Sequence, residues 1–523
     1  MSLQEPVLLL LAVATPMALR LVVTRAAPGD YLRAVPAALV ALIAGAVLWS
    51  LLHHTLRSRF GVPPPLLAVV GVLFFIAVGG ATGLVVAPRR AYLAHQRGTR
   101  LLPAVSPAAR EASGAAGVVT LAGVPLTRED ETKHIKVIGT TGTGKSTAIR
   151  EVLAAALKRG DRAIIADPDG GYIDRFYDPA AGDLILSPFD ARSCAWDLFG
   201  EIAQPYDVEQ LARALIPDND GPERSWRNYA RVFFTSVCSQ LWSLRDRAPE
   251  LCTVAELYRL LTVASNEELA ILLQGTPARP YLDPSNERMF GSIRSVTATY
   301  VSALAYPQPA QGTALAIRHW IRAADAAGNT RTRVLFLPYS ATQIAALRSL
   351  IAAWLRLAIF ETMNGPERSA ADPYRLWFLI DELDALGAID GLKDALARLR
   401  KFGGSCLIGF QAIAQVSTTC GAGDAQTIVE NCANTLILRC SASERGGTAQ
   451  FASRLIGDRE VIRRHVTWSR RPGEWRATRS VGEQHVTEPA VLPSEVEQLP
   501  DLTGFLKVAS RPVWQHVRLL HHP

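Results

Sequence analysis

Residues 139–146 of the chain read Gly-Thr-Thr-Gly-Thr-Gly-Lys-Ser, which fits the pattern G-x-x-x-x-G-K-[ST]. Glycines let the backbone curl so that successive N–H groups point at a phosphate, a geometry that a Cβ would obstruct. Lys145 supplies a mobile positive charge for β- and γ-phosphates, and the Ser146 hydroxyl is a hard oxygen ligand of the kind that Mg²⁺ prefers. A Gly/Thr-rich turn without function is the alternative, but the strand-like run before the loop and the helical pattern after it favour a phosphate site. The predicted nucleotide-binding residues are Gly139, Thr140, Thr141, Gly142, Thr143, Gly144, Lys145, Ser146 and Thr147.

A second group of chemical residues closes the apolar run at 376–380, where the sequence continues Asp-Glu-Leu-Asp. Ligands of open parallel sheets bind at the carboxyl ends of strands. We expect Asp381 to hold Mg²⁺ through its water shell, and Glu382 to orient and deprotonate the attacking water. A charged pair in this position can also be a simple helix cap, and the P-loop earlier in the chain favours the catalytic interpretation.

Two further residues are candidates for roles in hydrolysis. Gln411 follows the apolar strand predicted at 405–409, where a polar side chain next to the γ-phosphate can sense hydrolysis. Residues 392–403 form a basic amphipathic pattern, and Arg400 or Arg398 can reach a neighbouring subunit's nucleotide, because a guanidinium binds phosphate oxygens in a fork. A solvated loop glutamine and a solvated basic face remain the alternatives.

The first hundred residues carry a membrane signal. Residues 34–52 and 65–87 contain no charge and have about the ~20 residues needed to cross a hydrocarbon core. Residues 7–23 are a third apolar segment, interrupted by Pro16 and Arg20, and are either another span, an interfacial helix or an uncleaved signal-like segment. Arginines outside the two secure spans predict that both flanks face the cytoplasm. Buried core helices are the alternative.

From about residue 117 short apolar runs alternate with helical ones, which predicts a doubly wound, mainly parallel sheet. The predicted strands are 134–138, 162–166, 183–187, 333–337, 376–380, 405–409 and 435–439. Residues 205–322 show no strand pattern, so we predict an all-α domain inserted into an α/β fold. The predicted domain bounds are 1–100 for the membrane region, 101–204 and 323–523 for the two parts of the nucleotide-binding domain, and 205–322 for the insertion.

Composition constrains the partners only loosely. The formal net charge of +7 permits a polyanionic partner without demonstrating one. The seven cysteines form no CxxC pair, so we expect reduced, structural thiols that bind no metal.

Together with these motifs, several segments resemble the coupling ATPases of type IV secretion and conjugation systems, which are relatives of the chromosome-pumping DNA translocases. The resemblance spans nearly the whole chain, from the membrane helices to Trp514. Its segments are 123–126 (GVPL), 131–134 (ETKH), 167–170 (DPDG), 184–190 (LILSPFD) and 489–499 (PAVLPSEVEQL).

The resemblance implies a RecA-like P-loop NTPase core in a homo-hexamer that is anchored in the bacterial inner membrane by several passes, with its ATPase domain in the cytoplasm. Such a protein hydrolyses ATP with Mg²⁺ and drives single-stranded DNA, with a covalently attached relaxase, toward the components of a secretion channel. In the family's terms Lys145, Ser146, Asp381, Glu382 and Gln411 fall on the nucleotide motifs, and Arg400 falls on the segment that carries the arginine finger.

The chain departs from the family pattern in two places. Gly171 stands where an acidic residue is expected after Asp-x-x-Gly, and the sequence ends soon after the ATPase core, without a long acidic tail for docking a relaxosome. A double-stranded DNA pump is one alternative, and it predicts a long linker and a C-terminal winged helix, which we do not recognise. A membrane receptor for secreted proteins, switched by nucleotide, is the other. The candidate DNA contacts, which ordinary solvated arginines and core aromatics would also explain, are Arg224, Arg227, Arg231, Arg294, Trp226 and Tyr229.

Overall fold

The computed structural model describes most of the chain. The described residues are 13–16, 18–19, 28–86, 93–103, 117–218, 223–307, 314–327, 334–369, 372–443, 447–469 and 478–520. The chain divides into two compact units, Met1–His95 with Val461–Val486 and Gln96–Glu460 with Thr487–Pro523.

Strands and helices are numbered in chain order over the described residues. The strands are β1 Leu93–Gly98, β2 Leu101–Leu102, β3 Thr120–Leu121, β4 Val124–Pro125, β5 Ile135–Ile138, β6 Arg162–Pro168, β7 Leu184–Ile185, β8 Val334–Tyr339, β9 Leu376–Ile380, β10 Gly404–Phe410, β11 Asn434–Ile437, β12 Asp458–Ser469, β13 Thr478–Pro489, β14 Thr503–Lys507 and β15 Trp514–Arg518. The helices are α1 Pro28–Phe60, α2 Pro64–Val86, α3 Arg128–Glu131, α4 Lys145–Arg159, α5 Ile173–Phe176, α6 Pro205–Leu215, α7 Arg224–Ser243, α8 Val254–Thr262, α9 Asn266–Leu272, α10 Glu287–Val301, α11 Ile317–Ala327, α12 Ile344–Met363, α13 Leu383–Leu386, α14 Leu392–Arg398, α15 Ile413–Cys420, α16 Ala422–Asn431, α17 Gly447–Ile456 and α18 Pro493–Glu497.

The first unit contains α1 and α2, and a three-stranded sheet of order β1-β12-β13 lies mostly within it. Two stretches, Pro36–Phe60 and Pro64–Thr82, are long and apolar enough to cross a membrane, with mean hydropathies of 1.9 and 2.2. They overlap the predicted spans at 34–52 and 65–87, although residue 87 lies outside the described residues, as does most of the third segment, 7–23.

The second unit is built on a ten-stranded sheet of order β2-β15-β14-β11-β5-β10-β9-β6-β8-β7. From β11 to β7 every neighbouring pair is parallel. These seven strands are the seven that the sequence predicts, each within a few residues of its predicted bounds. The antiparallel pairs β11–β14 and β14–β15 and the short β2 extend the sheet at one side, and the sequence pattern did not predict them.

Both faces of the parallel region are buried. Successive side chains of a strand point to opposite faces, and an apolar cluster covers each face. Along β6, Ile164 and Ala166 belong to one apolar cluster, whereas Ala163 and Ile165 belong to the other. Helix α4 packs in the second cluster, and α7 and α12 pack in the first. The observed architecture confirms the α/β, doubly wound fold class.

Helices fill the long excursion between β7 and β8. Helices α6 to α11 occupy most of its described residues, and an isolated parallel bridge joins Trp196 to Leu315 near its two ends. The described part of this segment is therefore helical, as the lack of a strand pattern predicted. The domain bounds of 205 and 322 remain a prediction.

His134 links three elements at the amino end of β5. Its Nδ1 accepts a hydrogen bond from the Cys406 N–H at 3.0 Å, and its Nε2 lies 2.8 Å from the Leu396 carbonyl oxygen. Since a backbone N–H can only donate and a carbonyl can only accept, the proton sits on Nε2. Burial lowers the pKa of His134 to about 4. Only the neutral His134 ring can make both hydrogen bonds, which connect α14 and β10 to the amino end of β5, the strand that precedes the P-loop.

We expect the wild-type protein to lose stability relative to a His134→Asn variant as the pH falls from about 6.5 toward 4, whereas the raised pKa values of the buried carboxyls Asp167 and Glu201 act in the opposite direction and equally in both proteins. In this window the unfolded state binds a proton at His134 and the folded state does not, so acid favours unfolding, by at most about 3 kcal/mol over the whole window. Urea unfolding of the full chain in detergent at several pH values measures the slope. The control is His134→Asn, because asparagine tolerates the backbone φ of 56° and does not titrate. Equal slopes in both proteins would contradict the assignment.

Candidate functional site

The parallel sheet delivers several loops to one edge. Ile138 of β5 pairs with Phe410 of β10, and Ile380 of β9 pairs with Ile408, all in parallel register. The residues after these strands therefore leave the sheet at the same side. Strand β6 is parallel to β9 and ends at this edge as well. The P-loop, the two carboxylates after β9 and Gln411 are consequently neighbours.

The P-loop connects β5 to α4, and its glycines are required by local geometry. Gly142 and Gly144 have φ values of 78° and 112°, in the left-handed region that favours glycine. A Cβ on Gly144 would stand 2.8 Å from Leu502, and a Cβ on Gly139 would stand 2.8 Å from the Thr143 hydroxyl oxygen. The loop is therefore packed too closely for a side chain at either Gly139 or Gly144.

Lys145 begins α4, and its side chain turns back across the loop. Its Nζ donates a hydrogen bond to the Gly139 carbonyl oxygen at 3.0 Å. Burial lowers the pKa of Lys145, and the charges of Asp381 and Glu382 oppose that shift. The ammonium group is thus held inside the loop, within electrostatic reach of both carboxylates, where a phosphate oxygen can meet it.

The threonines of the loop hold its shape. The N–H of Thr140 donates to the Arg439 carbonyl oxygen at 2.9 Å. The Thr143 hydroxyl donates to the Thr140 carbonyl oxygen at 2.7 Å. Thr147 follows Ser146 in the first turn of α4. All nine residues predicted to bind nucleotide therefore belong to one continuous loop and helix start.

Asp381 receives two hydroxyl donors on the same carboxylate oxygen. Ser146 Oγ donates to its Oδ2 at 2.9 Å, and Tyr172 donates to the same atom at 2.8 Å. The other oxygen, Oδ1, is buried and has no hydrogen-bond partner among the described residues. A buried anionic oxygen with free lone pairs suits Mg²⁺ or its water shell, so Ser146 and Asp381 fit this cation.

Glu382 is linked to the tip of the P-loop through Gln411. The Gln411 amide donates from Nε2 to Glu382 Oε1 at 2.9 Å and accepts on Oε1 from the Thr141 hydroxyl at 2.9 Å. Burial raises the pKa of Glu382, which makes its carboxylate a stronger base, and the hydrogen bond from Gln411 opposes the shift. The chain Thr141–Gln411–Glu382 joins three loops that are distant in sequence.

Arg400 and Arg398 do not reach this site within one chain. Both are exposed, and they precede the start of β10 at Gly404. β10 spans seven residues, which is about 20 Å at the rise of a parallel strand. They lie at the amino edge of the sheet, opposite the P-loop. The action of Arg400 on a neighbouring subunit's nucleotide stays a prediction.

The arginines suggested as DNA contacts differ in exposure. Arg231 is buried and pairs with Asp218 at 3.3 Å, and Arg294 donates to the Ala264 carbonyl oxygen. Arg224 has 56% of its side chain exposed. Of these three, Arg224 is the one with a guanidinium at the surface. Trp226 and Tyr229 are 36% and 38% exposed, and their rings contact each other edge to face.

Tyr172 and Asp167 are site residues that the sequence argument did not single out. The Asp167 carboxylate accepts hydrogen bonds from the backbone N–H groups of Tyr172 and Ile173, so it closes the turn after β6. Burial raises the pKa of Asp167 to about 6. The DPDG sequence marked this turn by resemblance alone, and an aspartate at the end of a strand was the available physical signal.

Gly171, which departs from the family pattern, lies beside a guanidinium. A Cβ there would stand 3.0 Å from Nη2 of Arg150, so an acidic side chain would face a guanidinium. In this chain the Arg150 guanidinium instead lies 5.7 Å from the centre of the Tyr172 ring.

We expect Gly409→Ala to destabilise the protein by about 1–3 kcal/mol and to weaken nucleotide binding, since a Cβ at this position of β10 would overlap the Asp381 carbonyl oxygen. Urea unfolding and binding of a fluorescent ATP analogue measure both effects. The matched control is Gly423→Ala in α16, where a Cβ meets open space and should stabilise by about 0.5–1 kcal/mol. A Gly409 variant that behaves like this control would refute the close approach.

Comparison with known proteins gives a consistent set of relatives. The model of the "Type IV secretion-system coupling protein DNA-binding domain" matches residues 118–519. The coupling protein TraD of Escherichia coli (strain K12) is 30% identical over 391 residues, which is 74% of this chain and 52% of TraD. This chain spans 52% to 63% of the length of this and two conjugal transfer proteins TraG from Escherichia coli.

Solved structures of the bacterial conjugative coupling protein TrwB are also similar. The unbound form superposes with a TM-score of 0.71 at 29% identity, covering 83% of this chain and 95% of TrwB. Two complexes of TrwB, one with the non-hydrolysable ATP analogue ADPNP and one with ADP and Mg²⁺, superpose with a TM-score of 0.69 at 30% identity. They cover 82% and 83% of this chain, and each covers 95% of the TrwB chain. Since the family model covers most of the sequence and the fold agrees over the same region, this chain belongs to the coupling proteins of type IV secretion and conjugation systems.

Proposed function

We propose that this chain binds ATP with Mg²⁺, hydrolyses it, and uses the energy to deliver single-stranded DNA with an attached relaxase to a secretion channel. One observation carries the proposal: two hydrogen-bonded groups, Ser146 with Asp381 and Thr141 with Gln411 and Glu382, surround the P-loop. Such a set contains a phosphate cradle, a cation site and a base next to each other.

Nucleotide binding rests on the loop 139–147. Its backbone and the Lys145 ammonium bind the phosphates, and Ser146 and Asp381 hold Mg²⁺. The TrwB complexes with ADPNP and with ADP and Mg²⁺ support this assignment, because TrwB is 30% identical to this chain and superposes on it with a TM-score of 0.69. Bound Mg²⁺ neutralises charge on the phosphate oxygens.

In hydrolysis, Glu382 orients a water molecule and accepts its proton, and the water oxygen attacks the γ-phosphorus while the bond to the β-phosphate oxygen breaks. The products are ADP and inorganic phosphate. The raised pKa of Glu382, caused mainly by burial, supports its role as proton acceptor. Lys145 stabilises the charge that builds on the phosphate oxygens.

Gln411 couples this chemistry to the rest of the fold. It holds Glu382 and Thr141 together by hydrogen bonds of 2.9 Å on each side. Loss of the γ-phosphate changes the surroundings of both partners, so the loop that leads from β10 into α15 is expected to shift with each turnover.

The family and the apolar helices support a proposal for the cellular setting. We propose a homo-hexamer in the bacterial inner membrane, anchored by the two spans Pro36–Phe60 and Pro64–Thr82 as a multi-pass protein, with the ATPase domain in the cytoplasm. The all-α segment 205–322 acts as the inserted domain, and channel components and the relaxosome are the proposed partners.

Glu382→Gln should retain nucleotide binding but lose ATP turnover, by about 10²–10⁴-fold, because the amide removes the proton acceptor and keeps the shape of the side chain. Phosphate release by the full-length protein in detergent, with and without single-stranded DNA, measures this. The control is Glu129→Gln, whose side chain is 70% exposed. If no DNA of any kind stimulates the wild-type protein, the DNA-motor proposal fails.

Arg400→Ala should lower turnover without weakening nucleotide binding, because the arginine acts on the neighbouring subunit. Mixing Arg400→Ala and Glu382→Gln subunits should restore part of the turnover, since some interfaces then combine an intact Glu382 with an intact Arg400. Lys401→Ala, at the next exposed residue, is the control. Mixtures no more active than the single variants would contradict action in trans.

A further inference from the structure

Tyr172 reaches the cation-binding carboxylate from a segment that belongs to neither nucleotide motif. It lies in the turn after β6, is 2% exposed, and its hydroxyl is 2.8 Å from Asp381 Oδ2. We propose that Tyr172 is a positioning residue that fixes the orientation of Asp381 toward Mg²⁺ and so sets the affinity of the site for this cation. The inference rests on the proposed function, because it assigns a role in the same site.

The two hydroxyl donors determine which carboxylate oxygen is available. Ser146 and Tyr172 both donate to Oδ2 of Asp381, Ser146 from the start of α4 and Tyr172 from the turn after β6. Two donors on one oxygen hold the carboxylate against rotation about its Cβ–Cγ bond. Oδ1 is left buried, without a partner among the described residues, and is the atom that remains for the cation or its water shell.

Tyr172 is itself rigidly held. Asp167 is fully buried, and its carboxylate receives the backbone N–H of Tyr172 at 3.1 Å and that of Ile173 at 2.8 Å. The Arg150 guanidinium lies 5.7 Å from the ring centre. A phenol fixed at its backbone and at its ring can place its hydroxyl accurately, which a positioning residue must do.

The Tyr172 hydroxyl donates to the Asp381 carboxylate. Burial raises the pKa of Tyr172 well above its usual value, and the nearby Asp381 charge adds to this. The contact is therefore a charge-assisted O–H···O⁻ hydrogen bond, a strong class of hydrogen bond.

A tyrosine that only fills the core is the competing explanation. The ring would then matter through its volume, and the hydroxyl would matter little. Tyr172→Phe separates the two, because phenylalanine keeps the ring in place and removes one of the two hydroxyl donors to Asp381. The substitution should change the free energy of unfolding little and should specifically weaken the affinity for Mg²⁺.

The test uses the full-length protein in detergent and a fluorescent ATP analogue. The affinity for the analogue is measured in EDTA, and the Mg²⁺ concentration that half-saturates the metal-dependent change in binding is then measured by titration. For Tyr172→Phe we expect the half-saturating Mg²⁺ concentration to rise roughly ten-fold, while the affinity in EDTA stays as in the wild type. Tyr177→Phe is the matched control, because it removes a hydroxyl from the same segment, where the ring packs edge to face on Phe336. Neither value should change in this variant.

An unchanged Mg²⁺ requirement in Tyr172→Phe would overturn the proposal, and so would an equal loss of affinity with and without metal, which indicates damage to the fold. The assay reports on binding and does not depend on turnover. A wild-type protein that binds with Mg²⁺ but does not hydrolyse ATP would therefore refute the proposed hydrolysis and leave this inference to be judged by the titration. Absence of any Mg²⁺-dependent binding in the wild type would overturn both.

Discussion

The parallel register of β11, β5, β10, β9 and β6 is the constraint on which the rest of this structure depends. Parallel strands need helical crossovers and bury both faces, so the apolar clusters on the two sides of the sheet hold the strands in one register. With Ile138 opposite Phe410, a slip of one residue would invert the side chains of a strand and move its loop. The position of every chemical group at the carboxyl edge follows from this packing.

At the same edge of the sheet, three carboxylates lie near one lysine, so the site carries an excess of negative charge. Asp381, Glu382 and Asp384 lie close enough to Lys145 for each to raise the pKa of its ammonium group, while burial lowers it. Asp381 and Asp384 each keep a buried carboxylate oxygen without a partner among the described residues. Buried, unpaired anionic oxygens are costly, so a divalent cation that arrives with a phosphate ligand has a favourable place to bind. The unpaired carboxylate oxygens and the Lys145 ammonium therefore favour the binding of a divalent cation together with a polyanion.

Local sequence patterns were sufficient to predict a feature where one continuous stretch determines both its backbone conformation and its chemical groups. Residues 139–147 are one loop and one helix start, and the apolar run 376–380 is a buried strand followed directly by Asp381, as predicted. The seven parallel strands were predictable because each is a short continuous apolar run. β14 and β15 were not, because their sequences are mixed in polarity; β14 is a strand through its pairing with β11, and β15 through its pairing with β14.

By itself the amino-acid sequence determined the fold class, the P-loop, the residues of the acidic pair and the two apolar spans, because each depends on residues that are adjacent in the chain. Only the tertiary structure decided that Gln411 bridges Thr141 and Glu382, that Tyr172 shares an oxygen of Asp381 with Ser146, and that Arg400 lies at the opposite edge. These contacts join residues far apart in sequence. Their distances are set by the order of strands in the sheet and the packing of its two faces, which no local pattern contains.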